Sequence, residues 1–143
     1  MKKLNRSAAT LMAIALALSF GVNSAQASKT IALSETSINK TISVKVGTHI
    51  TLALHSMYWT LLKIPPYQAL TQKGSATLKP ILPGPGAPKG CTIPGSGCGT
   101  QSWKFVASKV GMTHLIARRT TCGEAMRCTG THGRFEVTVK VIR

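Results

Sequence analysis

The chain has 143 residues, of which 18 are lysine or arginine and only three are acidic, for a formal net charge of +15 at pH 7. So few carboxylates argue against acid–base catalysis by a pair of acids. The basic residues are scattered along the sequence, which is unlike the clustered patch of a nucleic-acid-binding protein. Composition therefore predicts neither an enzyme of that kind nor a nucleic-acid partner.

The first residues have the pattern of an export signal. A basic start, Met-Lys-Lys-Leu-Asn-Arg, precedes an apolar run from about Ala8 to Val22, and Ala25 and Ala27 match the small residues of a cleavage site. A membrane anchor is the alternative, but the run is shorter than the roughly 20 residues that a span needs. We predict a signal peptide over residues 1–27 and a single mature domain over residues 28–143.

Cleavage would release a monomer with no membrane span into the periplasm or the extracellular space. Ser28, and not a cysteine, follows the cleavage site, which argues against a lipid anchor. The product would carry a formal charge of +12, because all three glutamates lie beyond residue 27. This charge could attract anionic envelope polymers or acidic proteins, or it could be an adaptation to an acidic exterior.

Several segments alternate apolar and polar residues with the period of a β-strand. One of them would place Ile42, Val44 and Val46 on one face, and another would bury Trp103. The segments are residues 41–46, 49–54, 101–107, 112–118 and 134–142. Short strands separated by turns predict an all-β fold, an immunoglobulin-like β-sandwich.

All seven prolines fall between residues 65 and 94, interleaved with glycines. Proline removes ladder donors and glycine weakens strands, so this half is predicted to be loop, with at most a short strand near residues 77–82. A loop of this length in a compact domain tends to be functional or disordered.

The four cysteines of the chain predict two disulfides in an exported protein. Three pairings are possible, and we favour the local one, Cys91 with Cys98 and Cys122 with Cys128. A metal site completed by His114 and His132 is less favoured, because the cysteine spacing does not fit structural zinc. Oxidised thiols exclude cysteine nucleophiles, and no G-x-S-x-G elbow or phosphate-binding loop occurs. We predict no enzyme, no metal and no cofactor.

From Thr41 onward the chain resembles the chagasin-type inhibitors of papain-like cysteine peptidases. Three passages carry the resemblance: the strand pair with its Val-Gly turn at residues 41–54, the Gly95-Ser-Gly-Cys-Gly segment before the Trp103 strand, and the run from Val110-Gly111 to the last strand. The resemblance implies the same β-sandwich, and a papain-like cysteine peptidase as partner.

In that family three loops at one end of the sandwich enter the peptidase cleft without covalent chemistry. Here the first loop lacks the N-P-T-T-G motif, the second keeps two glycines of G-x-G-G, and the third has arginine without the tryptophan of R-P-W. The residues that the resemblance assigns to peptidase binding are Ser56, Met57, Tyr58, Trp59, Thr60, Gly95, Ser96, Gly97, Cys98, Gly99, Arg119, Thr120 and Thr121.

Structural roles compete with these assignments. The glycines of the second loop could simply permit positive φ in a turn, Trp59 could be a core residue with Tyr58 pointing outward, and Arg119 could cap a strand. Glu124 would pair with Arg127 or a nearby lysine. The alternative function is a non-inhibitory envelope-binding or structural module that uses the basic surface.

Overall fold

The computed structural model describes residues 29–62, 64, 68–123 and 126–143. The predicted signal peptide and Glu124 lie outside these residues. Nine strands form within them: β1 Thr30–Leu33, β2 Thr41–Lys45, β3 His49–His55, β4 Thr60–Leu61, β5 Leu70–Gln72, β6 Thr77–Pro80, β7 Gly99–Ala107, β8 Gly111–Arg118 and β9 Arg134–Ile142. Two short 3₁₀ turns, Glu35–Ser37 and Gly130–His132, complete the regular structure of this part.

The strands form two sheets. In the first, the order is β1-β3-β7, and both β5 and β6 pair with the other side of β7. In the second, the order is β2-β9-β8-β4. The pairs β1–β3 and β2–β9 are parallel, and the other pairs are antiparallel. This arrangement confirms the predicted all-β, immunoglobulin-like sandwich.

The core lies between the sheets and is built from the inward positions of the long strands. In β9 every second residue is buried, as the alternation of the sequence predicts. Trp103 is buried, as predicted. The fully buried apolar side chains include Ile50, Leu52, Leu54, Phe105, Leu115, Phe135, Val137, Val139 and Val141.

The structure departs from the sequence prediction at several strand boundaries. Val46 does not join the buried face of β2, because the strand ends at Lys45 and the chain turns at Gly47 with φ +86°. The Val46 side chain is 46 % exposed. The short strands β1, β4 and β5 were not predicted, whereas β6 lies within the range allowed for a short strand.

Three loops lie together at one end of the sandwich. β3 ends at His55 opposite Thr100, and β8 ends at Arg118 opposite Arg134. The β3–β4 loop (residues 56–59), the β6–β7 loop (81–98) and the β8–β9 loop (119–133) therefore emerge side by side. We call this the loop end. Within the described part of the chain, no helix is long and apolar enough to cross a membrane.

Candidate functional site

The β3–β4 loop connects the two sheets across the loop end in only four residues. Ser56 adopts φ +127°, an uncommon conformation for a residue other than glycine. Its hydroxyl accepts a hydrogen bond from the Tyr58 amide at 3.2 Å. Its side chain is buried, so the tight turn is fixed from within.

Trp59 anchors this loop in the core. Its side chain is only 5 % exposed, which agrees with the core interpretation. The indole Nε1 donates to the His55 carbonyl at 3.1 Å, so the polar atom of the ring is satisfied. The Arg119 guanidinium lies 4.8 Å from the ring centroid, a cation–π distance. Trp59 thus joins the first loop to the third.

Tyr58 joins the first loop to the second. Its hydroxyl donates to the Gly95 carbonyl at 3.0 Å. Its ring lies directly over Gly97, where an added Cβ would stand 2.0 Å from Tyr58 Cε2. Tyr58 lies outside the core, as expected, and its half-buried ring packs on the second loop, because the absence of a side chain at Gly97 leaves room for it.

Main-chain bonds fix the same two loops to each other. The Met57 amide donates to the Gly97 carbonyl, and the Ser56 amide donates to the Gly99 carbonyl, both at 2.9 Å. Gly95 and Gly97 have φ +81° and +67°, so the turn interpretation of these glycines also holds. Ser96 lies between them and is half-buried, whereas Gly99 is already the first residue of β7.

The two disulfides have the local pairing that was favoured, Cys91 with Cys98 and Cys122 with Cys128. The first closes the base of the second loop, where the Cys98 carbonyl also accepts from the Ile81 amide at 3.1 Å. The second lies in the β8–β9 loop. Both bridges are therefore at the loop end, and their presence is compatible with export.

The third predicted segment begins at Arg119, directly after β8. Its amide donates to the Gly133 carbonyl at 3.1 Å, and its Nε donates to the His132 carbonyl at 2.6 Å. The Thr120 carbonyl accepts from Cys128, and Thr121 forms an isolated bridge with Arg127. Arg119 therefore closes the strand end, as the capping interpretation has it, while its guanidinium faces Trp59.

A small cavity of about 230 Å³ lies beside the Trp59–Arg119 contact. Glu35 and His55 line it with Arg119, and His55 Nδ1 lies 3.0 Å from Glu35 Oε2. The His55 amide also donates to Glu35 Oε1. Burial raises the pKa of Glu35, but the hydrogen bonds with the His55 amide, its own backbone and the His55 ring outweigh burial and leave that pKa lowered.

Burial also lowers the pKa of the Arg119 guanidinium, and attraction to Glu35 opposes that shift. Glu35, His55 and His132 were not among the predicted site residues. Glu35 and His55 are twenty residues apart and belong to different segments, so no local spacing could join them. The 3₁₀ turn after β1 brings the glutamate to the end of β3.

The described residues include no group of three or more His, Cys, Asp or Glu that could hold a metal ion. His114 lies on β8, with its Nδ1 3.1 Å from Thr138 Oγ1, whereas His132 lies in the second 3₁₀ turn. The loop end also presents the Trp59–Arg119 contact on loops that two disulfides close.

Comparisons with known proteins bear on the fold. No family model matches the chain, and no curated protein matches its sequence. Among solved structures, the cysteine protease inhibitor EhICP2 from Entamoeba histolytica aligns with a TM-score of 0.54 at 12% identity, over 81% of this chain and 98% of that one. Amebosin aligns with a TM-score of 0.52 at 17% identity, over 80% and 98% of the two chains.

At these identities the likeness concerns the fold alone. The alignments span nearly the whole of each neighbour, so the shared feature is the complete sandwich and not a single motif. They support the fold relationship to chagasin-type inhibitors that the sequence suggests.

Proposed function

We propose that this protein is an exported inhibitor of papain-like cysteine peptidases, which inserts its loop end into the peptidase cleft without covalent chemistry. The observation that carries the proposal is the convergence of residues 56–60, 95–99 and 119–121 at one end of the sandwich. Tyr58 connects the first of these segments to the second, and Trp59 connects it to the third.

Rigidity supports this role. A loop that enters a cleft loses less conformational entropy when it is already fixed in its bound shape. Here the loops are held by two disulfides, by main-chain bonds between Met57 and Gly97, and by the stacked Trp59 and Arg119. The solved neighbour EhICP2, described as a cysteine protease inhibitor, shares the fold.

The tips of the loop end are suited to an apolar cleft. Leu82 and Ile93 of the β6–β7 loop are 79 % and 62 % exposed, and Met126 of the β8–β9 loop is 67 % exposed. Exposed apolar side chains of this kind mark interaction surfaces when they are grouped. They belong to the two loops that Tyr58 and Trp59 join to the β3–β4 loop, which gives the proposed wedge apolar side chains to contact a cleft.

The test is inhibition of papain and related peptidases by the protein purified from the culture or periplasm after expression with its own leader. We expect reversible, competitive inhibition, with peptidase activity that returns when the mixture is diluted. Tyr58→Phe keeps the ring over Gly97 but removes the bond to Gly95, so it should weaken inhibition by about five- to tenfold, in keeping with one lost hydrogen bond.

Lys140→Gln is the matched control, because this exposed residue lies on β9 away from the loop end and its loss should leave inhibition unchanged. Full peptidase activity at a micromolar excess of inhibitor, with several papain-like enzymes, would overturn the proposal. Salt-sensitive binding to purified envelope polymer in that case would favour the non-inhibitory module.

A further inference from the structure

The arginines and lysines of this protein are distributed differently. Beyond residue 28 the chain has five arginines, and four of them line one groove of about 750 Å³ at the loop end: Arg118, Arg119, Arg127 and Arg134. No lysine lines this groove. The expectation that the basic residues are scattered therefore holds for the lysines and is wrong for the arginines.

The groove is bounded by the end of the β8–β9 hairpin and by the loop that the Cys122–Cys128 disulfide closes. Arg118 and Arg134 are direct cross-strand partners. Two like charges placed opposite each other reduce sheet stability. A neutral residue at either position would serve the fold as well. Because the arginine pair lowers stability at the surface, we take the two charges to serve a ligand.

Few of these guanidinium groups are neutralised by the residues that the structure describes. The predicted pairing of Glu124 with Arg127 lies outside those residues. Among the described residues, Glu136 is the sole carboxylate within 4.0 Å of a groove arginine, and it binds Arg134 Nη2 at 2.7 Å. Arg118 and Arg127 are exposed. Arginine presents a planar fork of donors that matches carboxylates, sulfates and phosphates, which lysine does not.

We propose that this groove binds a short acidic segment of a protein partner, with its carboxylates paired to Arg118 and Arg127. A long polyanion would need a continuous basic track, whereas the lysines of the described strands are divided between the two sheets, Lys79 and Lys104 in the first and Lys45 and Lys140 in the second. Arg119 lines both the groove and the cavity beside Trp59, so a segment bound here would contact the third of the three loops, residues 119–121, and lie beside the first.

The experiment measures binding of a fluorescein-labelled hexaglutamate peptide by fluorescence anisotropy, with the protein purified as the exported product. We expect saturable binding that weakens as salt rises, because the attraction is screened. The double variant Arg118→Gln/Arg127→Gln should bind about tenfold or more weakly, as expected for two lost charge-assisted contacts. The affinity of Arg118→Lys/Arg127→Lys for the peptide should lie between that of the glutamine variant and that of the parent protein.

The matched control is Lys73→Gln/Lys104→Gln, which removes two neighbouring exposed charges from the first sheet. It should change the affinity less than about twofold, in keeping with its distance from the groove. Equal losses in the two double variants, or no binding to the parent protein, would overturn the proposal. Tighter binding of a sulfated oligosaccharide of equal charge would also overturn it, because the ligand of the groove would then be a glycan and not an acidic protein segment. The assay contains no peptidase, so its outcome is independent of the inhibition test.

Discussion

Thr113 occupies an inward position of β8, between the two sheets, where its neighbours in the same strand are apolar. Its side chain is 1 % exposed, and among the described residues its hydroxyl has no hydrogen-bond partner. A buried hydroxyl without a partner has lost its water and gained nothing in return. The buried hydroxyl of Thr113 thus makes the core less stable than an apolar side chain of the same shape would.

We predict that Thr113→Val raises the free energy of unfolding by about 1 kcal/mol, because valine has the same branched shape without the buried hydroxyl. Urea denaturation followed by tryptophan fluorescence measures the change. Thr138→Val is the control: its hydroxyl contacts His114 Nδ1 on the outer face, so its replacement should give no gain. A loss of stability in Thr113→Val would mean that the hydroxyl has a partner after all.

The glycines of the loop end offer a second test at the scale of single residues. Gly97 and Gly86 both have positive φ, but only at Gly97 would an added Cβ meet another residue, the ring of Tyr58. We predict that Gly97→Ala costs about 2 kcal/mol or more, because positive φ and the displaced ring both contribute, and that Gly86→Ala costs about 1 kcal/mol or less. Chemical denaturation compares the two variants, and equal costs would argue against the Tyr58–Gly97 contact.

Residue identity alone did not reveal that contact. Nothing in the run around Tyr58 indicates that its ring turns back over a loop some forty residues further along the chain. The signal is the glycine at position 97, whose meaning depends on its neighbour in space. Trp59 was easier to assign, since a large aromatic residue between two strands is usually buried in a sandwich.

The two disulfides act on whole loops. Each closes a short segment, with sequence separations of seven and six residues. Loop-closure entropy alone gives about 2.4 kcal/mol for each bridge. Neither bridge links the two sheets, so the sandwich core does not depend on them.

We therefore predict that replacing either cysteine pair by serine lowers the free energy of unfolding by about 2 kcal/mol and leaves the protein folded. Thermal unfolding by circular dichroism measures the loss. The Cys122→Ser/Cys128→Ser variant should also weaken hexaglutamate binding, whereas Cys91→Ser/Cys98→Ser should not, because only the former bridge bounds the arginine groove. Complete unfolding of either variant would show that the bridges hold more than the loops.

The longer strands could be predicted from the sequence, and the short ones could not. β3, β7, β8 and β9 have seven to nine residues each, enough for alternation to show which face is buried. β4 has two residues and β5 three, too few to alternate. Their pairing is decided by the neighbouring strand, which offers unpaired main-chain groups at its edge.

At the scale of the whole molecule, the shortage of carboxylates governs how stability responds to acid. The folded state lowers the pKa of Glu35, so Glu35 adds stability above its unfolded pKa, and this stability is lost as pH falls through the folded pKa. With only three glutamates in the chain, few groups can act in this way.

We predict a shallow loss of stability as the pH falls through the lowered pKa of Glu35. The variant Glu35→Gln should be less stable than the parent protein at pH 7, and the difference should shrink as acid protonates Glu35 in the folded state. Urea denaturation at several pH values tests this. A difference that stays constant with pH would show that the charge of Glu35 does not contribute.

The candidate site was predictable as a set of loops and not as a set of contacts. The resemblance alone assigned three segments to one end, and each of them follows or precedes a strand that alternation could locate. The arginine groove was missed, although its four arginines all fall within residues 118–134. Only the β8–β9 hairpin and its disulfide bring Arg118, Arg127 and Arg134 around one groove.

The pairing of β2 with β9 also has a consequence for the timing of folding. β2 begins at Thr41 and its partner begins at Arg134, so a strand made early must wait for one made last. Until the final strand has left the ribosome, the second sheet lacks the member that joins its two halves, β2 and β8. Closing so distant a contact is slow. Before β9 is made, the sandwich therefore cannot close, and a chain without its closed sandwich can still be threaded through a narrow channel.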